Sequence, residues 1–187
     1  MTKRTFIAIH IRPDRNLLQL ISEIRKSLHG STINWVNPAT LHLTLCFLGN
    51  TTPAQIKYIL RESQGIFGNL ESFQLELKGL GKFGSGSNPK VLWVGFEAND
   101  ALSNLAGQTK EMVRRAGFDD DERAFRPHLT LGRIKWLKEA GKLTTQLEAY
   151  REVTFQRMMV NEVVFYESIL RPAGPLYHPI QKFALKE

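Results

Sequence analysis

Two of the 5 histidines in this 187-residue chain open identical tetrapeptides, His42-Leu43-Thr44-Leu45 and His128-Leu129-Thr130-Leu131, 86 residues apart (128 − 42). Both copies lie in β-patterned segments, where successive side chains point to opposite faces. His42 and Thr44 then share one face while Leu43 and Leu45 share the other, and the second copy divides the same way. Each copy buries two leucines and presents an imidazole beside a hydroxyl. Two such half-units, related by a pseudo-twofold axis, would set two His-Thr pairs facing one another across a cleft.

That set meets the needs of phosphodiester cleavage without a metal. One neutral imidazole takes a proton from water and one imidazolium gives a proton to the leaving oxygen. Histidine is the side chain whose ordinary pKa allows both roles near neutral pH. The Thr44 and Thr130 hydroxyls can hold the non-bridging oxygens, where charge grows in the transition state. No nucleotide cofactor is required. A lone His-x-Thr in a strand reads best as a structural histidine, but a copy repeated at half-chain spacing does not. Zinc is the rival chemistry, and the chain offers no HExxH, no HxH and no second cysteine to complete a ligand set.

The elements that must carry these residues follow from periodicity. Thr5 to His10 reads as a strand, and Pro13 to Leu28 as a helix with Leu17, Leu20, Ile21 and Ile24 on one face. Ile33–Val36 and Leu41–Leu48 fit a strand pair broken at Asn37-Pro38. Thr52-Pro53 opens a helix to about Ile66 as N-cap and first-turn proline. Ser72–Gly79 alternates as a half-buried strand, Phe83 to Pro89 forms a flexible turn, and Val91–Glu97 is the next strand. Asn99 or Asp100 caps a helix to about Ala116. Strands follow at Pro127–Ile134, within Phe155–Ser168 and at Tyr177–Ala184, with a helix over Leu137–Ala149. Short turns between neighbouring strands demand antiparallel pairing, so the class is α+β. Gly79-Leu80-Gly81 lacks the strand-to-helix setting of a phosphate loop and is discarded.

Composition sets the outer bounds. The formal charge is +7 (25 Lys and Arg against 18 Asp and Glu), and 42% of residues are hydrophobic, enough for a core. A basic surplus suits a polyanion such as RNA without proving one. The single cysteine, Cys46, cannot form an internal disulfide, which points to a reducing, cytoplasmic setting. The N-terminal apolar stretch is too short for a signal-peptide core, and no run approaches the ~20 apolar residues of a bilayer span.

At the paired tetrapeptides and their flanks, the chain resembles the 2H phosphoesterase superfamily, and within it the RNA 2′,3′-cyclic phosphodiesterase (2′-5′ RNA ligase) family. The resemblance rests on Arg4–Ile9, Trp35-Val36 with Leu41–Gly49, Pro89–Gly95, Phe125–Arg133, and Ser168–Leu170 with Gly174–Tyr177. Asn34 departs from it, standing where a basic residue is expected before Trp35. The resemblance implies one bilobal domain over residues 1–187 with two antiparallel sheets, flanking helices and a central cleft. It implies hydrolysis of a terminal 2′,3′-cyclic phosphate to a 2′-phosphate. His42 is then the general acid toward the ribose 3′ oxygen and His128 the general base toward water, although the reverse order stays open.

Arg133 is the next candidate, as a clamp on phosphate. It lies five residues from His128, on the opposite face of a regular strand, unless Gly132 hosts a bulge. Phe125 is the candidate for stacking a terminal base, with Trp35 considered beside it, while parity makes Phe47 core. Cys46 shares the parity of His42 and is expected to border the cleft without a nucleophilic role. His10, His29 and His178 lack a threonine partner and read as structural or exposed. Asp119–Glu122 reads as a solvated loop, with magnesium the weaker alternative. The expected partner is an RNA end with a 2′,3′-cyclic phosphate, tRNA fragments included, on a monomeric chain with no cofactor and no membrane. Two other activities compete: joining a 2′,3′-cyclic end to a 5′-hydroxyl through a 2′-5′ linkage, and binding RNA ends without catalysis.

Overall fold

The computed structural model describes residues 1–86, 88–118, 124–172 and 174–187. Its elements, in chain order, are β1 (Lys3–His10), α1 (Arg15–Ser27), β2 (Thr32–Trp35), β3 (His42–Thr51) and α2 (Pro53–Phe67). There follow β4 (Phe73–Ser85), β5 (Asn88–Phe96), α3 (Asp100–Arg115), β6 (His128–Trp136) and α4 (Ala140–Ala149). The chain ends in β7 (Thr154–Val160), β8 (Glu162–Ile169) and β9 (Leu176–Ala184). The α+β class is as expected.

One curled antiparallel sheet runs β7-β4-β5-β6-β3-β1-β8-β9, with β2 also paired to β6. The two sheets expected from the sequence are the halves of this one, joined where Leu43 on β3 pairs with Leu129 on β6. Outward from that bridge, β6 is flanked by β5 and β3 by β1, in matching register. Thr130, Leu129 and His128 face Trp93, Val94 and Gly95, while Thr44, Leu43 and His42 face Ala8, Ile9 and His10.

The helices pack on the sheet in two pairs. α1 and α4 touch each other and pack on β7 and β4, whereas α3 and α2 touch each other and pack on β3 and β9. α1 buries Leu17, Leu20, Ile21 and Ile24, the spacing of one helical face, and Asp14 caps it by accepting from Leu17 N at 2.9 Å. α2 begins on Thr52 and Pro53 with a full capping box to Gln55, and α3 begins on Asn99. Each fully buried leucine or isoleucine contributes about 1.5–3 kcal/mol of burial free energy. The Leu43 and Leu129 rows are therefore held firmly inward, which holds the histidine rows outward. Among the described residues, no helix is long and apolar enough to cross a membrane.

Two expectations need correction. β2 and β3 do not pair with each other; both run antiparallel to β6, one after the other. Asn37 and Pro38 start a 3₁₀ turn, Pro38–Thr40, that interrupts the strand without reversing it. The supposed turn from Phe83 to Pro89 is mostly strand, because Phe83 pairs with Val91, Gly84 with the buried Pro89, and Ser85 with Asn88. The acidic run at 119–122, and with it the magnesium alternative, lies outside the described residues.

Candidate active site

The Leu43–Leu129 pair fixes what stands beside it. Cross-strand partners in an antiparallel ladder share a face, and their neighbours share the other. Stepping one residue each way sets His42 beside Thr130 and Thr44 beside His128, all four on the face opposite the leucines. The two His-Thr pairs predicted from the repeat are thus interleaved.

The rings are held alike. His42 Nδ1 lies 2.8 Å from Thr40 O, and His128 Nδ1 lies 2.8 Å from Arg126 O. A carbonyl only accepts, so each Nδ1 carries the proton it donates and each Nε2 is left with an unshared lone pair. Thr40 is itself fixed by the 3₁₀ turn, where Asn37 Oδ1 accepts from Ala39 N at 3.0 Å and Thr40 Oγ1 donates to Asn37 O at 3.0 Å. Burial pushes the His42 pKa below its ordinary value; the Thr40 carbonyl opposes this, and charge on His10 and His128 adds to it.

Aromatic side chains brace both rings. His42 sits 5.0 Å from the Phe6 ring and 5.1 Å from the edge-on Tyr177 ring. His128 sits 4.8 Å from the edge-on Phe83 ring, which in turn leans on Trp93 at 5.3 Å. Trp93 fits there because Gly81 opposite has no side chain; a Cβ would meet the indole at 2.1 Å. Sequence reasoning missed the roles of Phe6, Phe83 and Tyr177. Phe83 falls in the segment read as a turn, and a register shift between Lys78 and Leu80 sets its face, so only the strand pairing shows which histidine each ring meets.

Two bulges correct the assignments beyond the motifs. In β3 the partners of β1 pass from Thr44 to Cys46, skipping Leu45; in β6 the partners of β5 pass from Thr130 to Gly132, skipping Leu131. The skipped leucines are 86 residues apart (131 − 45), like the motifs. A bulge inserts one residue and inverts the alternation after it. Inward positions therefore continue at Leu48 and Ile134, both buried. Phe47 and Arg133 rejoin the histidine face.

Phe47 is consequently not core: it is 55% exposed, pairs with Phe6 and carries the Arg4 guanidinium 4.8 Å from its ring centroid. Arg133 is exposed and, with Arg4, offsets the upward push of burial on the Tyr177 phenol. Asn34, the departure from the family pattern, is the cross-strand partner of Arg133. Cys46 faces away from the cleft, opposite the buried Ile7. Trp35 packs on the core beneath Arg25, whose guanidinium lies 5.3 Å from its ring centroid.

Phe125 is 39% exposed on the segment entering β6. His29 and His178 are exposed, as expected, but His10 is half-buried and directly opposite His42. Among the described residues, no group of three or more His, Cys, Asp or Glu side chains is arranged to hold a metal ion.

A pseudo-twofold curled sheet that presents two His-x-Thr strands on one face is the architecture of a two-histidine phosphoesterase. Residues 3–169 match the model of the 2′-5′ RNA ligase superfamily, and the chain belongs to that family. It is 30% identical to the RNA 2′,3′-cyclic phosphodiesterase of Methanothermobacter thermautotrophicus over 99% of this chain and 100% of that one. The Methanocaldococcus jannaschii protein of the same name is 30% identical over 96% and 99% of the two chains. Among solved structures, TT0787 of Thermus thermophilus superposes with a TM-score of 0.80 at 25% identity, covering 98% of each chain. E. coli LigT complexed with 3′-AMP shares the fold, with a TM-score of 0.77 at 24% identity over 100% of both.

Proposed function

We propose that this chain hydrolyses the 2′,3′-cyclic phosphate at an RNA end to a 2′-phosphate by acid-base catalysis between His42 and His128, without a metal ion. One observation carries the reading: two His-x-Thr strands present imidazoles whose Nδ1 atoms are both tied to the carbonyl two residues earlier. Each Nε2 is thereby free to take or give a proton toward the cleft. The activity carried in the names of the relatives supports the same chemistry.

In the step, His128 Nε2 takes a proton as water attacks phosphorus. The P–O3′ bond breaks, and His42 Nε2–H gives its proton to O3′, leaving a 3′-hydroxyl and a 2′-phosphate. Thr44 and Thr130 donate to the non-bridging oxygens, Arg133 supplies a fixed positive charge, and Phe125 stacks on the terminal base. Burial lowers the His42 pKa, which by itself favours the reverse order of acid and base, and the negative charge of the substrate phosphate opposes that lowering. With a 5′-hydroxyl in place of water as the nucleophile, the same step, again expelling O3′, would make a 2′-5′ linkage. Water at its bulk concentration favours hydrolysis.

The test is incubation, in excess EDTA, with an oligoribonucleotide ending in a 2′,3′-cyclic phosphate. A 2′-phosphate product that disappears in both His42→Ala and His128→Ala is expected. RNA binding without turnover by the wild type would leave a binding module instead. A substrate with sulfur at the 3′ position needs no acid, so it should rescue the variant of the acid histidine alone.

A further inference from the structure

On the side of His42 away from His128, a groove of about 350 Å³ opens where the end of β1, the end of β7 and the start of β8 converge. It is lined by His10, Arg12, Met158, Met159, Asn161 and Glu162, over Ile9 and Val160. His10 is the cross-strand partner of His42, so the groove starts one strand spacing, ~4.8 Å, from the catalytic strand. It adjoins the histidine face at His10. Its walls are tied together. Gln156 of β7 donates to Arg12 O at 2.8 Å and accepts from Asp14 N at 2.9 Å.

The lining combines charge with apolar surface. Extending the β1–β8 register from Ala8–Val164 brings Glu162 beside His10, and Lys182 neutralises that carboxylate at 3.1 Å. Arg12 is exposed, and its guanidinium has no carboxylate partner among the described residues. The balance is therefore positive, with Arg12 as the uncompensated charge. Burial, together with charge on Arg12 and Lys182, also holds the His10 pKa down, against Glu162. Met159 is 55% exposed and Met158 half-buried, giving a polarizable apolar patch beside the cation. A bare anion site has no use for thioethers, and an apolar ligand site has no use for an unpaired guanidinium.

We infer that this groove binds the nucleotide preceding the cyclic-phosphate end, with its phosphodiester on Arg12 and its base against Met159. The inference rests on the RNA-end reading above and adds a direction to it: the RNA chain leaves the cleft across the end of β1, past His10. The protein then distinguishes an RNA end from a free cyclic mononucleotide, which would leave the groove empty.

The experiment compares wild type with Arg12→Gln and Met159→Ala, both exposed positions whose backbone bonds the substitutions preserve. Two readouts are taken: kcat/KM on a 2′,3′-cyclic mononucleotide and on a trinucleotide with the same end, and equilibrium binding of the two corresponding 2′-phosphates. Arg12→Gln should weaken trinucleotide binding about 10-fold and lower the slope of log affinity against log salt by about one. Mononucleotide binding and turnover should change less than about twofold. Equal losses on both ligands, or none on either, would overturn the groove. The two readings also fail separately. If wild type cleaves neither substrate while Arg12→Gln still weakens only the trinucleotide, the cleavage reading falls and the groove stands. If both histidines are needed for cleavage while Arg12→Gln leaves the trinucleotide unaffected, the groove falls alone.

Discussion

Leu43 and Leu129, the second residues of the two identical tetrapeptides, are cross-strand partners. A residue paired with its own sequence equivalent marks a pseudo-twofold axis. That axis interleaves the motifs, so each histidine neighbours the threonine of the other copy. Four groups from two distant segments converge on one face because two leucines between them are buried on the other.

Removing either imidazole should stop turnover without unfolding the chain. His42→Ala and His128→Ala are each expected to lose about 10²–10⁴-fold in kcat. The double variant should be little worse than either single one, because the two act as a unit. Single-turnover kinetics with circular dichroism as the folding control makes the comparison.

The threonines should matter through their hydroxyls alone. Thr44→Val and Thr130→Val keep the branched shape and the strand, and each is expected to cost about 10²-fold in kcat. Thermal unfolding should shift little, since both side chains are only half-buried on the cleft face. Equal loss in the corresponding serine variants would count against hydrogen bonding as the role.

Burial of His42 has consequences for stability as well as for rate. Its folded pKa is lowered, chiefly by burial, so the unfolded chain binds the proton more tightly. Stability then rises with pH, and this contribution is lost as pH falls from about 6.5 toward the folded value. His10, also lowered by burial, acts in the same direction. Melting curves between pH 5 and 8 should show the loss, and His42→Gln should flatten it. Because charge on His10 lowers the His42 pKa, His10→Gln should raise it and, with His42 as the acid, move the alkaline limb of kcat/KM to higher pH.

Gly81 should prove sensitive despite its distance in sequence from either motif. A Cβ there would lie 2.1 Å from the Trp93 indole, and Trp93 supports the Phe83 ring that meets His128. Gly81→Ala is expected to cost about 1–3 kcal/mol by overpacking, to shift tryptophan emission and to reduce kcat. Unchanged emission and turnover would mean that Trp93 does not position His128.

The sequence by itself determined the paired imidazoles and hydroxyls and the alternation that displays them. The repeated His-x-Thr at half-chain spacing, with leucines at the intervening positions, was enough to set both imidazoles and both hydroxyls outward. Helix starts were equally local. Asp14, Thr52-Pro53 and Asn99 cap their helices through contacts within three residues. Only the tertiary structure decided what depends on a partner strand. The bulges at Leu45 and Leu131 exist in the register against β1 and β5, and they turned Phe47 and Arg133 outward and Cys46 inward against simple parity. β2 joined β6 instead of β3 because pairing follows the sheet, not adjacency in the chain. Tyr177 reached His42 across most of the chain's length, and His10 came to stand beside it through the β1–β3 pairing. Local side-chain chemistry is written residue by residue, whereas register is a property of two strands at once.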